Sequence, residues 1–118
     1  MNTINNLLRE RLYTIAEEID SDNYYSLLIS QWSEEFERLQ RNRLVLGALR
    51  YGNIGAKGKA EYDRISCIIN RSKKYKRSGN LEFIVDVTNL CMLEFVEGDH
   101  PNKHFNSIDD GEHTKEVK

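Results

Sequence analysis

Four polar side chains, Glu82, Asp86, Asn89 and Glu97, share one line of an otherwise apolar stretch. At 100° per residue, Asp86 lies about 40°, Asn89 about −20° and Glu97 about 60° from Glu82 when the stretch is helical. Polar groups on one line of a largely buried helix need partners. Arginines of neighbouring helices, Arg43, Arg50 or Arg64, would neutralise the carboxylates. Alternatively, the oxygens would hold magnesium, a hard cation that bridges to phosphates. A solvated edge would need neither.

The cations are grouped too. The run RYGNIGAKGK sets Gly52, Gly55 and Gly58 among Arg50, Lys57 and Lys59. Glycines let backbone N–H groups approach a phosphate, and lysines add charge. Arg50, Lys57 and Lys59, with Arg43 and Arg64, are therefore the candidate phosphate ligands, and Tyr51 the candidate for stacking on a base. The run is not a phosphate-binding loop ending in Gly-Lys-Ser/Thr, because Ala60 follows Lys59. No strand pattern precedes it, so it is not a dinucleotide fingerprint, and a plain interhelical loop is the simpler reading. His100 and His104 stand four apart with Pro101 between them, which works against a helix-borne metal pair. Cys67 and Cys91 lack the CxxC spacing of a zinc or redox site and read as reduced thiols of a cytosolic protein. No Gly-x-Ser-x-Gly or HExxH sequence occurs, so no nucleophile comes with its base.

Helices must position these groups. Ile4, Leu8, Leu12, Ile15 and Ile19 recur every three or four residues, predicting a first helix capped by Thr3 and stopping near Ser21-Asp22-Asn23. A longer helix is expected over Tyr24–Arg50, with Leu28, Trp32, Phe36, Leu39 and Leu46 inside and Arg43 and Arg50 on the same side. After the glycine loop, Asp63 or Glu61 opens a third helix reaching about Ser78, with Tyr62, Ile65, Ile68, Ile69 and Ser72 inside. Arg71, Lys73, Lys74, Lys76 and Arg77 crowd its last turns, where cations favour the helix dipole. Gly79 fits a left-handed cap and Asn80 the next N-cap. The helix from Leu81 to about Glu97 is apolar nearly all round, so it belongs at the centre of a bundle or at a subunit interface. The β-branched run Phe83–Thr88 leaves a strand as the competing reading. The expectation is an all-α single domain: a bundle of about four helices over residues 1–98, then an irregular, partly disordered tail over 99–118.

Composition agrees. A chain of 118 residues with 39% apolar and 31% charged residues suits one globular domain. No apolar run reaches the roughly 18 residues of a membrane span, and the first residues lack the apolar core of a signal peptide. The net charge of −2 is unevenly placed. Met1–Glu37 has two arginines against eight acids, Arg38–Arg77 twelve basic residues against two acids, and Ser78–Lys118 three lysines against nine acids. The basic middle either pairs with the acidic flanks or binds an anion. Non-specific DNA coating is not expected at this near-neutral total.

The segments RNRLVLGALRYG, YDRISCIINRSKKYKRSGNLEFIVDVTNLCMLEF and HPNKHF, spanning roughly Arg41–Phe105, resemble small helical proteins of phages and mobile elements related to the MazG-like and nucleotide-modification-associated families. The similar features are an Arg-Tyr-Gly turn, a basic helix, and Gly-Asn-x-Glu leading into Glu-x-x-x-Asp-Val-x-Asn. In MazG-like pyrophosphatases, acids on two helices hold magnesium beside a nucleoside triphosphate. The resemblance would give that role to Glu34, Glu37, Glu82 and Asp86. Arg38 stands where the first motif has its third acid, and Phe83 where the second has an acid before the aspartate. This depleted set implies a binding protein rather than a hydrolase. The resemblance and the size together imply a non-enzymatic anti-defence protein in the host-cell cytoplasm. Such a protein sequesters a signalling nucleotide or blocks an immune effector such as a CRISPR–Cas complex. It would need no cofactor, magnesium entering only with the pyrophosphatase alternative. A homo-oligomer, dimer or higher, is expected from the very apolar last helix. A structural self-assembling protein is the remaining alternative.

Overall fold

A computed structural model describes residues 21–106. These residues form an all-α bundle without strands: α1 (Ser21–Ser30), α2 (Glu34–Tyr51), α3 (Arg64–Ser78) and α4 (Leu81–Glu97). The chain divides into two compact units, one containing α1 and the other spanning Ser33–Lys103. The helix expected over residues 3–19 and the end of the tail lie outside the described residues. Among these no helix is long and apolar enough to cross a membrane.

The helix expected over Tyr24–Arg50 is in fact two. It breaks after Ser30 because Ser33 competes for the backbone. Ser33 is extended, and its hydroxyl accepts the Phe36 N–H at 3.1 Å. Glu34, Glu35 and Glu37 then occupy the first turn of α2, where negative charge opposes the helix dipole. The predicted stop at Ser21-Asp22-Asn23 instead falls inside α1.

The later boundaries follow the expected capping chemistry. Asp63 caps α3, its carboxylate accepting both the N–H and the hydroxyl of Ser66. Bonding to these two groups of Ser66 holds the Asp63 carboxyl below its ordinary pKa. Gly79 ends α3 at φ 72°, a left-handed conformation that costs glycine little. Asn80 caps α4 by accepting the Glu82 N–H at 3.0 Å. Phe83–Thr88 lies within α4, so burial along a helix prevails over β-branching there. At Gly98 any Cβ would collide with the Glu94 carbonyl, so the chain leaves α4 through glycine.

In the Ser33–Lys103 unit, α4 packs against both α3 and α2, which do not pack on each other. This fits the central place expected for α4. The inner faces of its neighbours differ in part from expectation: Phe36, Arg43 and Ile68 lie inward as expected. Leu39 and Leu46 of α2 are exposed, while Phe36, Gln40, Arg43 and Leu44 are half-buried. On α3, Ile65, Ile69 and Ser72 lie outside, as does Tyr62 just before it, and Arg64, Cys67, Ile68, Arg71 and Tyr75 are the more buried residues. The cause is electrostatic: α2 and α3 turn their arginines toward the carboxylates of α4. Val85, 3% exposed, is the one buried apolar residue described in this unit.

Candidate functional site

Two ion-pair clusters occupy the line of polar residues on α4. The first centres on Asp86. Arg43 grips it with both prongs of its guanidinium, Nε to Oδ1 at 3.0 Å and Nη2 to Oδ2 at 3.2 Å. The same guanidinium reaches Glu82 Oε1 at 3.1 Å, and Arg71 approaches Asp86 Oδ2 at 3.8 Å from α3. Forked pairing of this kind fixes geometry as well as charge. The bond to Asp86 raises the pKa of Arg43 against the opposing effect of burial, so this cation is permanent.

Alongside this cluster, polar contacts join α2 to α4. Gln40 Nε2 donates to Thr88 Oγ1 at 3.1 Å, and Asn89 Nδ2 donates to the Gln40 carbonyl at 3.0 Å. Asn89 is 6% exposed, and its Oδ1 accepts no hydrogen bond.

The second cluster centres on Glu97, the last residue of α4. Its carboxylate accepts the Gly55 N–H at 3.1 Å, Lys59 Nζ at 3.1 Å and Arg64 Nη2 at 3.0 Å. Gly55 has φ 80°, which turns its N–H to the carboxylate without strain for glycine. The Gly55 bond, then that of Lys59, pulls the Glu97 carboxyl below its ordinary value. Lys59 also donates to the Asn53 carbonyl at 3.1 Å. Tyr51 and Tyr62 meet edge to face, ring centres 5.6 Å apart, at the base of the same loop. The glycine loop is thus fastened to α4 through its own backbone, and a carboxylate stands where a phosphate was considered.

Beside Glu97 lies an open hollow of about 240 Å³, lined by Lys59 and Arg64 but also by Glu61, Glu94, Glu97 and Asp99. Four acids against two cations repel a polyphosphate.

The predicted residues therefore part company. Arg43 faces Asp86 and Glu82, while Lys59 and Arg64 face Glu97. Arg50 and Lys57 are exposed and make no ion pair among the described residues. Glu34 and Glu37 sit in the first turn of α2, Glu37 pairing with Arg41 at 3.4 Å. Glu82 and Asp86 are held by Arg43. Among the described residues no three Asp, Glu, His or Cys side chains gather as metal ligands. Both thiols, Cys67 and Cys91, are free. Sequence reasoning missed Arg71, Gln40 and Glu94. Arg71 was within reach, because seven residues from Arg64 return it to the same face of a helix. No known protein family, curated protein or solved structure matches the chain.

Proposed function

We propose that this protein is a non-enzymatic anti-defence binding protein of a phage or mobile element. It acts in the host cytoplasm by occupying an immune effector such as a CRISPR–Cas complex. One observation carries this reading over its alternatives: the charges suited to a nucleotide or to magnesium are engaged with each other. A nucleotide sequestrant needs Arg43, Lys59 and Arg64 turned toward its ligand, yet each faces a carboxylate, and the nearby hollow is acidic. A MazG-like pyrophosphatase needs Glu34, Glu37, Glu82 and Asp86 around one magnesium, yet Glu82 and Asp86 are committed to Arg43.

What is left for binding is surface. Val45 is 61% and Leu49 81% exposed on the outward side of α2, in line with exposed Arg38 and Arg41. Apolar side chains bordered by arginine suit a macromolecular partner. The phage-type resemblance of Arg41–Phe105 supplies the class of that partner.

The test is plasmid interference. The protein is expressed in bacteria whose CRISPR–Cas system targets a transforming plasmid, and transformation is expected to be restored. Calorimetry with nucleoside triphosphates should give no binding heat, and magnesium should elicit no pyrophosphate release. Nucleotide binding that weakens tens-fold on alanine substitution of Arg50 and Lys59 would replace this reading with sequestration. Magnesium-dependent pyrophosphate release abolished in Asp86→Asn would replace it with hydrolysis.

A further inference from the structure

α3 carries six cations and no acid. The fold uses two of them. Arg64 reaches Glu97 at 3.0 Å, and Arg71 approaches Asp86 at 3.8 Å. Lys73, Lys74, Lys76 and Arg77 are exposed and make no ion pair among the described residues. Lys74 lies over the Phe83 ring at 5.9 Å. The carboxylates at the start of α4 are already taken, Glu82 and Asp86 being held by Arg43 at 3.1 and 3.0 Å. The helix dipole accounts for part of the excess. Its C-terminal end equals about half a negative charge, which Lys76 and Arg77 in the last turn outweigh. Lys73 and Lys74 exceed it further.

Three of the spare cations share a side. At 100° per residue, Lys76 lies about −60°, Arg77 about 40° and Asn70 about 60° from Lys73. The opposite side, with Arg64, Ile68, Arg71 and Tyr75, is the one packed on α4. Asn70 is exposed and adds an amide donor. The acids next along the chain, Glu61 and Asp63, precede the far end of α3. From Asn70 to Arg77 the helix runs about 10 Å, the length of roughly three successive phosphates on one strand of a duplex. Arginine forks onto phosphate oxygens, and lysines and amides bind them singly. A helix lying on a membrane would set an apolar face opposite its cations, and here that side is occupied by α4.

We infer that the outward side of α3, through Asn70, Lys73, Lys76 and Arg77, binds the phosphate backbone of a nucleic-acid duplex. Contact is to the backbone and reads no sequence. The net charge of −2 keeps the rest of the molecule off the duplex, so one short stretch is held and the duplex is not coated. The effector reading places binding on α2 and needs nothing from α3. Naked duplex tests this inference and plasmid interference tests that reading, so the two fail separately.

The experiment is fluorescence anisotropy of a labelled DNA duplex of about 20 base pairs and arbitrary sequence, titrated with the full chain. With three cations on phosphates, dissociation is expected on the order of 10–100 μM at about 50 mM salt. Log affinity should fall with log salt at a slope of about −2.7, roughly 40-fold weaker by about 200 mM. Lys73→Gln with Arg77→Gln should bind at least about 10-fold more weakly, with a slope of about −0.9. It should keep the helical circular dichroism of wild type, because both side chains are exposed. Lys57→Glu lowers the net charge by the same amount on the glycine loop, which is fastened to the other end of α4. It should bind within about two-fold of wild type. No binding by wild type up to about 500 μM at the lower salt, or an equal loss in Lys57→Glu, overturns the inference. So does wild-type affinity in the Lys73→Gln, Arg77→Gln variant. Phosphatidylglycerol vesicles that bind the chain while the duplex does not would replace the nucleic acid with a membrane surface.

Discussion

Replacing Asp86 by alanine tests the claim that ion pairs rather than apolar contacts hold α2 and α3 to α4. The Asp86 side chain is 18% exposed and accepts two N–H groups from Arg43, with Arg71 at 3.8 Å. A hydrogen bond to a charged group contributes roughly 1.5–3 kcal/mol, and the two do not add fully because one guanidinium makes both. Arg43 is about a third exposed and keeps Glu82 at 3.1 Å, so water and Glu82 recover part of the loss. The net expectation is about 2 kcal/mol. In a unit of this size that lowers Tm by roughly 8–16 °C. The assay is thermal unfolding followed by circular dichroism at pH 7. Wild type and variant are held at one protein concentration, because any self-association adds to apparent stability. Arg43→Met and the double variant complete the cycle, with a coupling of about 1–2 kcal/mol expected. A fall in Tm under roughly 3 °C, or strict additivity of the two substitutions, refutes the reasoning.

Other outcomes follow from the caps and carboxylates. Glu97 and Asp63 are both held below their ordinary carboxyl values, so the stability they contribute is complete above those values. It is lost as pH falls from about 4.5 through the lowered folded-state value of Glu97. Urea midpoints measured across that window should fall for wild type and fall less for Glu97→Gln. Ser33→Ala removes the N-cap of α2 and should cost about 1 kcal/mol by urea unfolding. Gly79→Ala forces a side chain into the left-handed region and should also cost about 1 kcal/mol, read by the same melts. Asn89→Asp buries a charge beside the Gln40 carbonyl and should cost at least about 2 kcal/mol at pH 7, less once the new carboxyl is protonated.

The all-α class, the glycine loop, the α3–α4 turn and both ends of α4 were legible because each rests on local chemistry at Asp63, Gly79, Asn80 and Gly98. The break at Ser33 was legible in principle. Apolar periodicity ran through it and outweighed a serine followed by three acids in five residues. Those acids read as half of a magnesium motif, whereas in the fold they belong to a helix start. The inner faces of α2 and α3 were legible only at Phe36, Arg43 and Ile68, because apolar periodicity marks which side can be buried without saying by what. Leu39, Leu46, Ile65 and Ile69 follow the helical period faithfully, yet the arginines decide which side meets α4. For the polar line on α4, pairing with arginines was one of three readings open from sequence, beside a magnesium site and a solvated edge. Only the geometry sets Asp86 and Glu97 in their two clusters.

The contact between Gln40 and Asn89 also bears on motion. Sliding α2 by one turn along α4, about 5.4 Å, would break the Asn89–Gln40, Gln40–Thr88 and Arg43–Asp86 bonds together. Apolar neighbours such as Phe36 and Leu44 would accept a shifted partner, but a buried amide and a forked ion pair would not. Asn89 already carries one unsatisfied oxygen, so the slipped state would leave its donor stranded as well. The helix pair therefore behaves as a keyed joint rather than a slide. Whatever docks on the outer side of α2 meets a platform of fixed height, and ratchet motions of α2 along α4 are closed to it.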